Sequence, residues 1–152
     1  MKILMVCLGN ICRSPLADGL LKAKVKNEEL DVFVDSAGTA GFHIGDAPDS
    51  RMRATARSFG VPIDNLKARQ FIVQDFQDFD LIYAMDSSNY NNILSLASSS
   101  EDEAKVKLIL NESHPGMNLA VPDPYYGGDK GFIEVYRLLD AATDVIIKNL
   151  KE

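Results

Sequence analysis

The chain has 152 residues, of which 46% are apolar and 25% are charged, and its formal net charge at pH 7 is −6. This length suits one domain with a continuous core, and the acidic balance argues against a surface dedicated to nucleic acid or an anionic membrane. Two cysteines are too few for a disulfide framework, and His43 and His114 lack zinc-ligand spacing to them, so we expect no metal or other cofactor and assign neither histidine a role.

The predicted elements begin with a strand, a turn and a helix. Residues 2–6 form an almost continuous apolar run, which is typical of a strand buried on both faces. Pro15 suits the first turn of a helix, because its missing N–H would be unpaired there in any residue. The apolar side chains that follow at helical spacing are Leu16, Leu20, Leu21 and Val25.

A second strand and a second helix follow. The strand is predicted over residues 31–35 and leads into the loop sequence SAGTAG. The helix begins at Pro48 and Asp49, carries apolar residues at helical spacing, and ends near Gly60, a residue type that commonly terminates helices.

The rest of the chain repeats this alternation. A third strand over residues 79–85 precedes a helix that Asp86 can cap, a fourth strand covers 105–110, and an amphipathic helix covers 132–150. Strands separated by helices pair in parallel through right-handed crossovers. We therefore expect a single α/β domain spanning residues 1–152, with an open, doubly wound four-stranded parallel sheet and helices on both faces.

The loops at one edge of this sheet contain the candidate catalytic and binding residues. Residues 111–130 form a loop of about twenty residues without periodicity, which is longer than compact domains usually contain without a functional reason. In open parallel sheets, ligands bind at the carboxyl ends of the strands. The turn after Cys7, the loop that contains Ser36, the helix start at Asp86 and this long loop should all meet there.

The turn after the first strand combines a nucleophile with an anion site. Cys7 is followed by Arg13 and Ser14 at the start of a helix, and Gly9 and Asn10 tolerate the left-handed backbone that a ring of converging amides requires. The helix dipole and the loop N–H groups favour a phosphate, and a guanidinium can bind two of its oxygens at once. The same positive field favours the thiolate form of a cysteine.

This turn, CLGNICRSP, resembles the phosphate-binding loop of the low-molecular-weight protein tyrosine phosphatases. The resemblance covers nearly the whole chain, because further motifs of the family occur in the family's order. These motifs are DSAGT at 35–39, KARQ at 67–70, AMDSSN at 84–89 and DPYYG at 123–127.

The resemblance implies hydrolysis of phosphotyrosine in proteins, and of small aryl phosphates, through a phosphocysteine. Cys7 would attack phosphorus, Arg13 would bind the equatorial oxygens, and Ser14 would stabilise the thiolate that leaves in the second step. Asp123 would be the general acid for the leaving phenol. A positioned acid is typically worth about 10² to 10⁴ in rate, which agrees with this assignment because a phenolate leaves poorly near neutral pH.

The resemblance also implies roles within the loop and at its rim. Asn10 and Ser36 would form a hydrogen bond that holds the loop in shape. Cys12 would be the partner in a reversible disulfide that protects Cys7 from over-oxidation. The phosphate-binding residues would be Leu8, Gly9, Asn10, Ile11, Cys12 and Arg13.

Three aromatic residues match positions that wall the substrate cleft of the family. They are Phe42, Tyr125 and Tyr126, and Phe42 stands where many members carry tryptophan, so we expect a smaller aromatic wall. A cleft deep enough for phosphotyrosine leaves phosphoserine too short to reach the nucleophile.

Four other functions compete with this prediction. Related arsenate reductases need two further cysteines, which are absent here. Phosphoarginine phosphatases resemble the chain but tend to carry threonine at the position of Ile11, so phosphoarginine remains the minor alternative. Arg13 and Asp123 argue against a phosphocysteine carrier of the kind found in sugar phosphotransferase systems, and no Walker or dinucleotide motif supports a nucleotide-binding module.

The expected partners follow from the predicted reaction. They are phosphotyrosine-containing protein substrates, inorganic phosphate as product and a cognate tyrosine kinase, without nucleic acid or membrane. We expect a monomer or weak dimer. No stretch reaches the roughly 18 apolar residues of a membrane-spanning helix, which predicts a cytoplasmic location.

Overall fold

The structure, a computed structural model, describes residues 1–124 and 128–152, and in these residues the predicted four-stranded parallel sheet is confirmed. The first strand lies in the interior of the sheet, between the second and third strands, and the fourth strand is at one edge. The order is β2-β1-β3-β4, where β1 is Lys2–Cys7, β2 is Phe33–Gly38, β3 is Leu81–Ala84 and β4 is Val106–Leu108.

Helices cover both faces of the sheet, as predicted for a doubly wound fold. The longest are α1 (Arg13–Asn27) and α7 (Gly128–Lys151), which pack against each other on the face towards which Ile3 and Met5 of β1 point. Leu4 and Val6 point to the opposite face, because side chains alternate along a strand. The remaining helices are α2 (Ser50–Ser58), α3 (Asp75–Asp78), α4 (Ser87–Leu94), α5 (Ser100–Ala104) and α6 (Leu110–Ser113).

Two predicted helix starts and one predicted end are confirmed. The carboxylate of Asp49 accepts hydrogen bonds from the amides of Arg51 and Met52 at the start of α2, at 2.8 and 3.4 Å. The carboxylate of Asp86 accepts one from the amide of Asn89 at 2.7 Å at the start of α4. Gly60 follows α2 with a φ of 77°, which L-residues rarely adopt.

The second strand differs from its prediction. It runs from Phe33 to Gly38 rather than over residues 31–35, because β1 extends to Cys7 and pairs with β2 along its whole length. Residues 36–38, which were expected in a loop, are therefore strand residues. This register places Ser36 inside the protein and Gly38 directly beside Cys7.

The other differences concern short elements. The fourth strand ends at Leu108 and α6 begins two residues later, so the expected strand over 105–110 was too long. Helix α6 also shortens the predicted loop over 111–130 from one end, and α7 shortens it from the other by starting at Gly128. Helices of four or five residues, such as α3 and α5, are too short to show a periodicity in sequence.

The fold brings the ends of three strands and one distant loop together. The turn after β1, the end of β2 and the start of α4 lie at the carboxyl edge of the sheet. The amide of Val121 donates a hydrogen bond to the carbonyl of Met85 at 2.8 Å, which brings the segment that contains Asp123 back to this edge. Within the described residues, no helix combines the length and apolar character needed to cross a bilayer.

Candidate active site

Cys7 is the last residue of β1 and is buried at the base of the turn that leads to α1. Its Sγ lies 3.0 Å from the Oγ of Ser14 and accepts a hydrogen bond from the amide of Asn10 at 3.2 Å. The side chain is only 3% exposed in the described structure. These contacts fix the position of the sulfur, and a fixed position suits a nucleophilic cysteine.

Asn10 holds the turn in its shape. It has a φ of 57°, in the left-handed region that residues other than glycine occupy at a cost. Its Nδ2 donates to the Oγ of Ser14 at 2.8 Å, and its Oδ1 accepts a hydrogen bond from the amide of Arg69 at 3.0 Å. The side chain of Asn10 therefore links the turn to α1 on one side and to a distant segment on the other.

The predicted hydrogen bond between Asn10 and Ser36 does not form among the described residues. The side-chain amide of Asn10 instead donates to the Oγ of Ser14 and accepts a hydrogen bond from the main-chain amide of Arg69. Ser36 lies in β2 and is buried, opposite Met5 of β1 in the sheet. The prediction failed because it treated Ser36 as a loop residue, whereas the strand register directs its side chain towards α1.

The guanidinium of Arg13 is fixed by two acceptors from distant parts of the chain. Its Nη1 donates to the Oδ2 of Asp86 at 2.7 Å and to the carbonyl of Val121 at 3.0 Å. The other oxygen of Asp86 caps α4, so one carboxylate positions both a helix and the arginine. Within residues 1–124 and 128–152, the hydrogen bonds of Arg13 all use Nη1, which leaves Nε and Nη2 to bind two oxygens of a ligand.

The end of β2 supports the turn from behind. The amides of Thr39 and Ala40 donate to the carbonyls of Cys7 and Leu8, both at 2.9 Å. A Cβ on Gly38 would come within 2.7 Å of the carbonyl oxygen of Leu8, a distance that real Cβ atoms essentially never show. The close approach of β2 to the turn therefore requires glycine at this position.

A cavity of about 340 Å³ opens above Cys7 and contains most of the predicted site residues. Asp123 reaches it from the long loop, more than a hundred positions away in sequence, and Phe42 stands at its rim with 79% of its surface exposed. Tyr125 and Tyr126, which were predicted to wall the cleft, lie outside the described residues. The lining residues are Cys7, Leu8, Gly9, Ile11, Cys12, Arg13, Phe42, His43 and Asp123.

Cys12 lies in the same cavity but in a different electrostatic environment. Burial raises its pKa to about 12, and the nearby charges of Asp49, Cys7 and Asp123 act in the same direction. Arg51 opposes this shift. Cys12 is thus a protonated thiol at neutral pH, and both cysteines are free. Of the two cysteines, Cys7 is the one whose sulfur accepts the hydrogen bond from the main-chain amide of Asn10 and contacts the Oγ of Ser14.

The structure adds two features that the sequence did not reveal. His43 lines the cavity and its Nδ1 lies 3.3 Å from the Oδ2 of Asp46, although no role was predicted for it. Its position next to Phe42 in sequence was the one available signal. Arg69 contacts Asn10 through its main chain, and only its place in the KARQ motif drew attention to that segment.

Comparisons with known proteins agree with this site. The family model described as low molecular weight phosphotyrosine protein phosphatase matches residues 2–152. A low molecular weight phosphotyrosine protein phosphatase of Schizosaccharomyces pombe is 41% identical over 138 residues, which cover 89% of this chain and 87% of that protein.

Solved structures of phosphatases superpose on essentially the whole chain. A protein tyrosine phosphatase from Entamoeba histolytica superposes with a TM-score of 0.93 at 40% identity, covering 99% of this chain and 97% of that one. A Drosophila arginine phosphatase superposes with a TM-score of 0.92 at 32% identity, covering 100% of this chain and 99% of that one.

Proposed function

Because this chain belongs to the low molecular weight phosphotyrosine protein phosphatase family, we propose that it hydrolyses phosphotyrosine in proteins, and small aryl phosphates, through a phosphocysteine on Cys7. The observation that carries the proposal is the cavity in which Cys7, Arg13 and Asp123 meet. The hydrogen bond from the main-chain amide of Asn10 and the contact with Ser14 support the role of Cys7 as nucleophile.

In the first step, the sulfur of Cys7 forms a bond to phosphorus and the bond between phosphorus and the phenolic oxygen breaks. Nε and Nη2 of Arg13 bind two equatorial oxygens of the phosphoryl group while its Nη1 stays on Asp86 and Val121. The turn amides stabilise the remaining charge. Such donors act strongly because they are already oriented before the reaction begins.

Asp123 supplies the proton that the departing phenolate needs. Asp123 lines the same cavity as Cys7. Removal of such an acid typically costs about 10² to 10⁴ in rate for a poor leaving group. Pro122 and Pro124 flank Asp123 and restrict its backbone, which helps to keep the carboxyl group in one position.

In the second step, water attacks the phosphocysteine, inorganic phosphate leaves, and the Cys7 thiolate is restored. Ser14 stabilises this thiolate, because its Oγ lies 3.0 Å from Sγ and can donate a hydrogen bond to it. Asp123, now ionised, accepts a proton from the attacking water, since the group that acts as an acid in the first step acts as a base in the second.

A flat aromatic ring suits the walls of the cavity. Ile11 lines it with a branched apolar side chain, and the largely exposed Phe42 can lie against a tyrosine ring at the rim. Because Cys7 lies at the base of the cavity, a phosphoserine side chain is too short to reach it. These features support selectivity for phosphotyrosine.

Phosphoarginine is the second candidate substrate, because one solved structure that superposes closely is an arginine phosphatase. Its guanidino group is cationic or polar and gains less from contact with Ile11 than a phenyl ring does. A comparison of kcat/KM for phosphotyrosine and phosphoarginine peptides of identical sequence decides between them, and a higher value for phosphoarginine would reverse the assignment.

Cys12 has a protective role in this proposal. When peroxide oxidises Cys7 to a sulfenic acid, the thiol of Cys12 attacks that sulfur, a disulfide forms and water leaves. A thiol reductant then restores both cysteines. The shared cavity supports this pairing. Wild type should recover activity with dithiothreitol after peroxide treatment, whereas Cys12→Ser should not, and equal recovery would exclude the role.

The decisive experiment follows hydrolysis of p-nitrophenyl phosphate in the presence of EDTA. Cys7→Ser should abolish turnover, because serine is a far weaker nucleophile at neutral pH. Asp123→Ala should reduce kcat by about 10² to 10⁴. Full activity of Cys7→Ser would overturn the mechanism. We further propose a cytoplasmic setting, a cognate tyrosine kinase and a monomeric or weakly dimeric enzyme.

A further inference from the structure

The segment that contains Arg69 lies against the end of β2 like a short additional strand. The amide of Gly38 donates to the carbonyl of Arg69 at 2.8 Å, and the amide of Phe71 donates to the carbonyl of Gly38 at 2.7 Å. Gly38 in turn contacts the turn after Cys7. The main chain of Arg69 therefore contacts the end of β2, which in turn contacts the proposed catalytic loop.

Two carboxylates hold the side chain of Arg69. Its Nη1 and Nη2 donate to the two oxygens of Asp75 at 3.1 Å each, and its Nε donates to the Oδ2 of Asp35 at 3.1 Å. Asp75 is only 3% exposed and also accepts the amide of Ile72 at 2.9 Å. A planar fork matched to a buried carboxylate fixes both position and orientation, which a lysine cannot do.

A continuous set of hydrogen bonds leads from this ion pair to Cys7. The amide of Arg69 donates to the Oδ1 of Asn10 at 3.0 Å, and the amide of Asn10 donates to the Sγ of Cys7 at 3.2 Å. The Nδ2 of Asn10 donates to the Oγ of Ser14, which lies 3.0 Å from the same sulfur. Both contacts around the sulfur thus depend on where Asn10 is held.

The backbone of Asn10 gains from this support. Asparagine adopts the left-handed conformation more readily than most residues, but at a cost relative to glycine, and surrounding contacts offset that cost. Among the described residues, the Asn10 side chain makes one hydrogen bond to a partner outside the turn and α1. The donor of that bond is the main-chain amide of Arg69. If the Arg69 segment shifts, the main-chain N–H of Asn10 is free to turn away from the sulfur of Cys7.

We propose that Arg69 and Asp75 are positioning residues for hydrolysis of the phosphate ester. Their ion pair keeps the main-chain amide of Asn10 directed at the sulfur of Cys7. This inference rests on the proposed function, since it requires Cys7 to be the nucleophile. It assigns to the pair a role beyond fold stability. Small displacements of groups around a reacting atom can cost as much as about 10²-fold in rate.

The test compares Arg69→Lys and Asp75→Asn with wild type. Arg69→Lys keeps the positive charge but loses the planar fork, and Asp75→Asn keeps the shape but loses the negative charge, so neither variant can form the charged bidentate pair. We expect kcat/KM for p-nitrophenyl phosphate to fall between about 10-fold and 10²-fold. The inhibition constant of inorganic phosphate should rise, and alkylation of Cys7 by iodoacetate, located by peptide mass spectrometry, should slow.

A matched control separates positioning from stability. Lys24→Met breaks an interhelical set of contacts in which Nζ lies within 2.8 Å of oxygens of Asp140, Thr143 and Asp144, far along α1 from the turn. This variant should lose thermal stability while phosphate inhibition and Cys7 alkylation keep their wild-type values. All assays are made at a temperature where thermal melts show each variant to be folded.

A milder variant keeps the test informative if the first two fail to fold. Asp35→Asn removes the charge only from the Nε contact, at a half-exposed carboxylate, and should produce smaller changes of the same sign. Wild-type kinetics, phosphate inhibition and alkylation in every folded variant would overturn the positioning role. Activity in Cys7→Ser would instead overturn the proposed mechanism, so the two failures are distinguishable.

Discussion

The turn after β1 and the contact between α1 and α7 both contain buried or half-buried polar groups, but these groups are paired in different ways. Between the helices, Nζ of Lys24 is surrounded by acceptors from Asp140, Thr143 and Asp144. In the turn, Arg13 uses Nη1 on the protein and presents its other N–H groups to a cavity. The Lys24 arrangement is satisfied within the protein, whereas the other N–H groups of Arg13 are available to the phosphate that we propose as ligand.

This difference separates stability from function within one chain. Polar groups that satisfy one another add to the free energy of unfolding, whereas groups held towards a ligand add mainly to binding and catalysis. The turn also holds Asn10 in a left-handed backbone, which carries a conformational cost. Substitutions in the two regions should therefore affect different measurements.

Of the substitutions that test this difference between the two regions, Arg13→Lys should have the largest effect. A lysine retains the charge but cannot bond Asp86 and two phosphate oxygens at once, so kcat/KM for p-nitrophenyl phosphate should fall about 10²-fold to 10³-fold. Arg57→Lys is the matched control, because Arg57 pairs with Asp64 at 2.8 Å on the surface and should behave as wild type. A loss of less than about tenfold for Arg13→Lys would contradict the division between the regions.

Gly38→Ala should lower both the free energy of unfolding and the catalytic activity. The added Cβ would meet the carbonyl oxygen of Leu8 at 2.7 Å, so the turn or the strand must shift, at a cost of about 1–3 kcal/mol in the free energy of unfolding. Urea unfolding and steady-state kinetics measure the two effects. Gly131→Ala is the control, since its Cβ would find its nearest atom at 3.6 Å and alanine favours helix α7. Unchanged kinetics in Gly38→Ala would show that the turn adapts without its support.

Lys24→Met should reverse the pattern seen in Arg13→Lys. It removes charged hydrogen bonds between α1 and α7, so the free energy of unfolding in urea should fall by about 1–2 kcal/mol. The value of kcat/KM should not change. A parallel loss of activity at temperatures where the variant is folded would mean that the α1–α7 contact also sets the geometry of the turn.

The smallest effect concerns Asp18, which lies on α1 between the two regions and is fully buried. Burial raises its pKa, and Lys22, with Nζ 3.0 Å from Oδ1, opposes the shift. Because the folded pKa exceeds the unfolded value of about 3.9, folding favours the protonated form, and stability falls as pH rises from that value through the folded pKa. Asp18→Asn should therefore be more stable than wild type at pH 7.

The pH dependence provides the check on this prediction. Urea midpoints measured between pH 4 and pH 8 should show the advantage of Asp18→Asn shrinking as the pH falls towards about 4, where the carboxyl of the unfolded chain also begins to be protonated. Lys22→Met should have the opposite sign at neutral pH, since it leaves the buried carboxylate without its cation. A constant difference across this range would show that the gain does not come from ionisation.

Most of the fold was predictable because its signals are local. The apolar run of β1, the caps at Asp49 and Asp86 and the long periodicity of α7 each act over a few residues. The limits of β2 were not predictable in this way. They follow from pairing with β1, which lies about thirty residues away in sequence, and a pairing register depends on the assembled sheet.

The candidate site was predictable to a similar degree. Cys7, Arg13 and Ser14 stand close together in sequence, so their common turn could be recognised from their spacing. Asp123 came from the resemblance, and its place in the cavity depends on the return of its loop to β3. The partner of Asn10 was predicted wrongly, because Ser14 and the amide of Arg69 compete for it only in the folded chain.

The amino-acid sequence by itself determined the alternation of strands and helices and the grouping of Cys7, Arg13 and Ser14 in one turn, because both depend on short-range propensity and residue type. Only the tertiary structure decided which acceptors fix Arg13, why Gly38 must lack a side chain, and how Arg69 reaches Asn10. These contacts join residues up to about a hundred positions apart, and their distances are set by the packing of the whole sheet.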